Sequence, residues 1–192
     1  MSKIGPLTAA AGVRLRRVTT DGLTDGDTLV IRRLLVEAFG TDEGERFEED
    51  DWRHAIGGMH FVAEVEGEIV AHASVVEREI HVDGHPLRTG YVEAVTTAPR
   101  HQGNGLGTEL MRDVGSYIRG RFQLGVLGTG SHGFYERLGW RTWRGPSSVR
   151  TTDGLRATPD DEGYILVLPT SSSPALDLDA PLSCEWRAGD VW

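Results

Sequence analysis

Tyr91-Val92-Glu93-Ala94-Val95-Thr96-Thr97-Ala98-Pro99-Arg100-His101-Gln102-Gly103-Asn104-Gly105-Leu106-Gly107-Thr108-Glu109-Leu110 has three parts of different character. Tyr91 to Thr97 is rich in β-branched residues and reads as a strand. Arg100 to Gly105 is a short, basic, glycine-rich turn. Leu106, Leu110, Met111, Val114 and Ile118 then recur at helical spacing, which predicts an amphipathic helix. A strand, a glycine-rich turn and a helix start together form an anion cradle. The first N–H groups of a helix lack intrahelical partners and carry the positive end of its dipole. Gly103, Gly105 and Gly107 remove the β-carbons that would hold a pyrophosphate away from them. No Lys-Ser/Thr pair follows the glycines, and the dinucleotide spacing G-x-G-x-x-G is absent, so two familiar phosphate motifs are excluded. What remains is Arg100-x-x-Gly103-x-Gly105. The plainer alternative is a turn that merely links two elements; the strand before it and the helix after it favour the cradle.

Ahead of this stretch, Val13, Leu15 and Val18 alternate loosely with Arg14, Arg16 and Arg17, an edge-strand pattern. Asp25 or Asp27 stands where an N-cap belongs, before Leu29, Ile31, Leu34, Leu35 and Phe39, and Gly40 is placed to end that helix. Trp52 to Gly58 reads as a short helix. His60 to Glu66 and Glu68 to Val76 form a hairpin, the second arm apolar enough to be buried on both faces. Asp83-Gly84 marks a second hairpin that leads into the Tyr91 strand. Beyond the glycine-rich turn, Phe122 to Leu127 suits a central strand and Ser131 to Leu138 a short helix carrying Tyr135. Arg141 to Val149 and Tyr164 to Leu168 are expected to close a final hairpin around the polar segment Thr151 to Gly163. Thr170 to Pro181 reads as a surface loop. Two tryptophans in Glu185 to Trp192 are foreign to a disordered tail, so this end is expected to pack back onto the domain.

The 192 residues suit one domain, 13–192, behind a flexible leader, 1–12. Cys184 is the only cysteine, which excludes an intrachain disulfide and a cysteine zinc site and fits a cytoplasmic protein. No apolar run approaches the ~18 residues of a membrane span. With 29 acidic against 20 basic residues and a net charge of −9, the chain lacks the basic face that nucleic acid demands, and it suits a cationic small molecule. Seven carboxylates crowd the ten positions 42–51; they read as a solvated loop or as an acidic wall that attracts a polyamine. His60 and His72 have no ligand-spaced partner and read as structural, so no metal is expected.

The order of elements and the Arg100-x-x-Gly103-x-Gly105 turn resemble the GCN5-related N-acetyltransferases (GNAT). At closer range the chain is similar to the aminoglycoside 2'-N-acetyltransferases. That likeness rests on Gly57-Gly58-Met59-His60, Ala71-His72-Ala73, Gly90-Tyr91-Val92-Glu93, Gln123-Leu124-Gly125 and Thr158-Pro159-Asp160-Asp161. Its narrowest part is the run Cys184-Glu185-Trp186-Arg187-Ala188-Gly189-Asp190-Val191-Trp192. The resemblance implies an α/β (α+β) fold with one mixed, mostly antiparallel sheet, whose splayed central strand pair is flanked by helices. It also implies acetyl-CoA as co-substrate, an aminoglycoside as acceptor, and a homodimer. Other small-molecule amines and a non-catalytic acyl-CoA sensor are the alternatives; a sensor could dispense with Glu93 and Tyr135.

Acyl transfer from a thioester to an amine needs a held donor, a base, oxyanion donors and an acid for the thiolate. Glu93 to Arg100 spans about 23 Å of extended chain, close to the length of a pantetheine arm. The resemblance assigns the donor to Val95, Thr96 and Thr97 on the strand and to Arg100, His101, Gln102, Gly103, Asn104, Gly105, Leu106, Gly107 and Thr108 beyond it. Glu93 stands in an apolar strand, where burial would raise its pKa toward the working range. It is the candidate base, which the resemblance implies acts through a water, or else it pairs with an arginine such as Arg88 or binds the substrate ammonium. Tyr135 falls where the superfamily places the acid, and the alternative is a core aromatic beside Phe134 and Trp140. Asp161, Asp190 and the α-carboxylate of Trp192 match acceptor-binding positions, the last also counted with the catalytic groups. From the early acidic loop Asp42 is the nominal contact, with Glu43 and Glu45 equally open because this loop differs in length from the family's. The segment Gly128 to Phe134 is also shorter and less basic than in the family.

Overall fold

The computed structural model describes residues 12–40 and 47–192. The expected leader, apart from Gly12, and the loop residues Asp42, Glu43 and Glu45 lie outside the described residues.

β1 (Val13–Thr19) feeds α1 (Asp25–Phe39) and α2 (Glu49–Ala55). The helix start is Thr24, not Asp25 or Asp27. Thr24 Oγ1 accepts the Asp27 N–H at 3.0 Å, while the Asp27 carboxylate takes the Thr24 N–H at 3.1 Å. Asp27 is therefore the returning arm of a capping box, a role that a carboxylate three residues inside the helix fills by reach. α2 is capped in the same way, with Asp51 reaching back to the Glu48 N–H at 2.7 Å, so it begins earlier than its tryptophan suggested.

β2 (Met59–Val65), β3 (Glu68–Val82) and β4 (His85–Thr97) form an antiparallel meander turning at Glu66-Gly67 and Asp83-Gly84. β3 runs beyond the apolar stretch that announced it. From Val76 to Val82 it alternates buried and outward residues, and Arg78 is among those turned inward. α3 (Leu106–Arg121) follows the glycine-rich turn and buries Leu106, Leu110, Met111, Val114 and Ile118, the face anticipated from their spacing. β5 (Leu124–Gly128) then lies parallel to β4, and α4 (His132–Glu136) carries Tyr135.

The last third departs from the expected hairpin. Of Arg141 to Val149, only β6 (Arg141–Thr142) pairs with β9 (Ile165–Pro169). At Gly145 the backbone passes so close to the 179–180 backbone that a β-carbon there would sit 2.0 Å from the Ala180 carbonyl oxygen. That close approach carries the chain away from β9. β7 (Ser147–Thr151) instead pairs with β8 (Gly154–Ala157), drawn from the segment read as polar loop, and with β10 (Leu182–Glu185). β10 returns to the far end of β3, so the C-terminal run does pack back.

Among the described residues ten strands form one sheet in the order β6-β9-β5-β4-β3-β10-β7-β8, with β2 and β1 joined beside β3; of their pairings only β4–β5 and β7–β10 are parallel. One core lies where α1, α2, α3 and α4 cover the sheet, around Ile31, Phe61, Leu110 and Trp140. A second contains no helix residue and gathers Tyr91, Trp143, Leu178, Leu182 and Trp192.

Candidate active site

β4 and β5 pair only at Thr89–Leu124, Gly90–Gly125 and Tyr91–Val126. Beyond Tyr91 they separate, and a cleft of about 570 Å³ lies along the gap, within the usual range for small-molecule sites. One wall is β4 from Tyr91 to Val95, and Leu127 to Ser131 with Tyr135 make another. Ala38 and Phe39 of α1, Phe47 before α2, Asp51 and His54 of α2, and Arg187, Asp190 and Trp192 complete it.

Glu93 sits on the β4 wall with about 15% of its side chain exposed, and Arg187 Nη1 donates to its Oε1 at 2.6 Å. Burial pushes its carboxyl above the ordinary range, although the Arg187 guanidinium pulls the other way. The partner is thus Arg187; Arg88 is engaged with Glu77 instead. Arg187 also donates to the Asp190 carbonyl at 2.6 Å and lies over the Tyr91 ring. Arg78 covers that ring too and donates to the Val191 carbonyl at 2.9 Å, to the Glu185 carbonyl and to the Glu185 carboxylate. His54 Nε2 donates to the Ala188 carbonyl at 2.7 Å. Three side chains therefore hold the C-terminal run against the cleft.

Tyr135 is buried with Phe134 and Trp140 edge-on to its ring, and burial pushes its phenol up to about 12. It lines the cleft as well, so it is a core aromatic and a cleft group at once. Trp192 is buried, its Nε1 donating to Thr158 Oγ1 at 2.9 Å. A β-carbon on Gly128 would stand 3.6 Å from the main-chain carbonyl carbon of Trp192, which puts that group at the end of β5. Asp161 does not line the cleft. It ends a 3-10 turn, Pro159–Asp161, close enough to Asp190 that burial first, and the Asp190 charge after it, raise its carboxyl.

At the other end of the gap, Gly103 and Gly105 adopt φ of +77° and +81° with open space where a β-carbon would stand, so the turn demands glycine for its backbone alone. Gly105 caps α3, leaving the N–H groups of Leu106, Gly107 and Thr108 at the open helix end. Arg100 pairs with Glu68 at 2.9 Å in an exposed contact, and Gln102 ties back to the Thr97 carbonyl at 3.0 Å. The Thr96 hydroxyl turns inward to the Leu34 carbonyl at 3.3 Å, and the residue is buried. Among the described residues, no group of three or more His, Cys, Asp or Glu could hold a metal ion, and no helix is long and apolar enough to cross a membrane.

Sequence reasoning missed Arg187 and His54, and it held Asp51 only as one of the seven carboxylates of the acidic stretch 42–51. Arg187 had a signal: a carboxylate inside an apolar strand calls for a cation, and the conspicuous C-terminal run holds one. His54 had none, since nothing in the sequence says that α2 stands over this gap.

A strand pair that splays beside a glycine-capped helix, with a carboxylate on one wall and a phenol on the other, defines an acyltransferase architecture. Residues 19–143 match the model of the acetyltransferase (GNAT) domain, and the chain belongs to that family. It is 40% identical over 181 residues to the aminoglycoside 2'-N-acetyltransferase of Mycolicibacterium fortuitum, covering 92% of this chain and 91% of that one. Among solved structures, the GNAT family N-acetyltransferase YhbS of Escherichia coli, in complex with CoA, superposes with a TM-score of 0.64 at 14% identity, covering 93% of this chain and 92% of the other. A GCN5-related N-acetyltransferase from Kribbella flavida superposes with a TM-score of 0.56 at 24% identity over 72% of this chain, which spans only 36% of that protein's length. Both structural likenesses are of fold. The mixed sheet with flanking helices accords with them.

Proposed function

We propose that this enzyme transfers the acetyl group of acetyl-CoA to the 2'-amine of an aminoglycoside by direct attack on the thioester. The observation that carries the reading is the convergence of Glu93, Asp51 and Asp190 on a cleft whose opposite wall holds a neutral phenol. The likeness to the Mycolicibacterium fortuitum enzyme supports it.

In this reading the CoA pyrophosphate rests on the turn from Gly103 to Gly107 and on the N–H groups that open α3. Arg100 leaves its exposed pairing with Glu68 for the phosphates, an exchange that costs little. The pantetheine arm runs along Val95, Thr96 and Thr97 into the β4–β5 gap, bringing the thioester to Glu93. The acceptor, a polycation, is held by Asp51, Asp190, Asp161 and the α-carboxylate of Trp192. One oxygen of Glu93 is committed to Arg187; the other takes the ammonium proton through a water. The freed amine attacks the carbonyl carbon, a β4 backbone N–H receives the oxyanion, and the C–S bond breaks as Tyr135 gives its proton to sulfur. A phenol held near 12 keeps that proton at neutral pH until a thiolate forms. We read the protein further as a cytoplasmic homodimer with no nucleic-acid or membrane partner, supported by its acidic balance, its single buried cysteine and the family resemblance.

CoA release from acetyl-CoA is the test, with tobramycin, which has an amine at the 2' carbon, against kanamycin A, which has a hydroxyl there. Turnover with tobramycin alone is expected. Equal turnover moves the acetylated amine elsewhere on the drug, and no turnover with either overturns the aminoglycoside reading.

A further inference from the structure

β3 and β4 pair in register as far as Ser74–Glu93, and the next pair is His72–Thr96. One residue of β3, Ala73, therefore faces two of β4, Ala94 and Val95, a β-bulge. Ala94 takes φ +52°, a conformation that an alanine holds only when its surroundings impose it. The carbonyls that the bulge displaces are taken by side chains. Ser74 Oγ donates to the Glu93 carbonyl at 3.3 Å, and His72 Nδ1 donates to the Ala94 carbonyl at 2.8 Å.

His72 is itself held. His60 Nδ1 is 2.9 Å from His72 Nε2, Thr20 Oγ1 is 2.9 Å from His60 Nε2, and the Gly57 N–H reaches Thr20 Oγ1 at 2.8 Å. With both rings neutral the directions of the bonds in this chain follow, the Thr20 hydroxyl giving its one proton to His60 at 2.9 Å and not to the Gly58 carbonyl at 3.5 Å. The Ala94 carbonyl only accepts, so His72 carries its proton on Nδ1. A neutral imidazole has one N–H, so His72 Nε2 accepts from His60 Nδ1, and His60 Nε2 in turn accepts from the Thr20 hydroxyl. The Gly57 N–H only donates, and it meets the remaining lone pairs of Thr20. Both rings have no exposed surface, and the Trp52 ring packs 6.1 and 6.5 Å from them. Desolvation keeps both neutral, as the chain requires. A second proton on His72, at Nε2, would set N–H against the N–H of His60.

The Ala94 carbonyl and the Val95 N–H belong to one peptide plane and point in opposite directions. Anchoring the carbonyl in the core turns the Val95 N–H away from His72, toward the side on which Ala94 and Val95 line the cleft. We infer that Thr20, His60 and His72 are positioning residues for acetyl transfer: they lock the bulge that aims the Val95 N–H at the thioester carbonyl and sets Glu93 beside it. The inference rests on the acetyl-transfer reading above. It accounts for two buried imidazoles on neighbouring strands, where apolar residues would pack at no desolvation cost.

Two measurements test it. Long-range 1H–15N correlation spectra of the wild-type protein report the imidazole tautomers without requiring turnover. Both His60 and His72 are expected in the Nδ1–H form, and an Nε2–H form at either ring overturns the chain. The second measurement uses substitutions at His72. The amide of His72→Asn overlays Nδ1 and keeps the bond to Ala94, whereas that of His72→Gln overlays Nε2 and keeps only the bond to His60. With tobramycin as acceptor, His72→Gln is expected to lose about 10- to 100-fold in kcat at little-changed KM for acetyl-CoA, and His72→Asn to stay within roughly 3-fold of wild type. Equal loss in both, or none in His72→Gln, overturns the positioning role. A wild-type protein inactive on every amine overturns the acetyl-transfer reading and the catalytic half of this inference with it. Wrong tautomers in an active enzyme overturn the chain alone.

Discussion

Arg187 Nη1 donates to Glu93 Oε1 at 2.6 Å, which fastens the C-terminal run of the chain to the middle of β4. Each side chain is about 15% exposed, so the pair is largely shielded from solvent and neither partner is cheaply left alone.

Replacing Arg187 by Met removes the charge that opposes desolvation at Glu93, so its carboxyl rises further above 4.5. The sign of the stability effect follows. A carboxyl whose folded pKa is raised stabilises the fold below its unfolded value and loses that contribution as pH rises through the folded one. The variant loses more than the wild type does, so its deficit is small near pH 4.5 and grows to about 2–4 kcal/mol at pH 8. Urea melts at the two pH values measure this, and a deficit independent of pH would refute it. The acidic limb of kcat/KM should move upward with the same substitution.

Glu93→Gln tests the base directly. The isosteric amide keeps an oxygen for Arg187 but binds no proton. A fall in kcat of about 10²-fold or more is expected, with acetyl-CoA affinity unchanged and the acidic limb of the pH–rate profile gone. In the wild type that limb lies above 4.5, because burial raises the group. A retained limb would assign it to another residue.

How far the sequence revealed this site depended on the range of the interactions. Periodicity gave α3 and its buried face, and the dipeptide Asp83-Gly84 gave the β3–β4 turn, because both signals are local. The exchange of β9 for β8 and β10 as partners of the chain after Gly145 was not legible. It depends on a close backbone crossing with residues 179–180, far along the chain. Glu93 and Tyr135 stood out by residue type and by resemblance. His60 and His72 were read as structural, and their link to the Ala94 bulge was not legible, because the register shift between His72 and Ser74 has no mark in the residue types.

Tyr135→Phe retains the ring that packs 4.9 Å from Phe134 and 6.2 Å from Trp140 between centroids, so thermal stability should change by less than about 1 kcal/mol. If the hydroxyl protonates the departing thiolate, kcat falls by about 10- to 100-fold. The wild type should show no loss of activity on the alkaline side up to pH 9 from this group, since its phenol is held near 12. An unchanged kcat would return Tyr135 to the core.

Gly105→Ala separates donor binding from chemistry. Its φ of +81° is one that an alanine adopts only at a cost of about 1–2 kcal/mol, while a β-carbon there would meet nothing within 4 Å. Strain, and not a clash, is therefore the sole perturbation, and it falls on the turn that opens α3. Titration calorimetry should show CoA binding weakened by about 5- to 30-fold, the equivalent of that strain, with acceptor KM unchanged.

Asp190→Asn and Asp161→Asn probe the acceptor side. Asp190 lines the cleft and Asp161 lies close behind it, and the two already repel each other enough to help raise the Asp161 carboxyl. A polycation that binds between them relieves that repulsion, so the gain from each carboxylate exceeds that of an isolated surface pair, which is at most about 1 kcal/mol. Each substitution should raise the tobramycin KM about 5- to 30-fold and flatten its dependence on ionic strength, leaving the acetyl-CoA KM unmoved. Because the two carboxylates act on one ligand, the double variant should cost less than the product of the single effects. Multiplicative losses would mean that the acceptor reaches only one of them at a time.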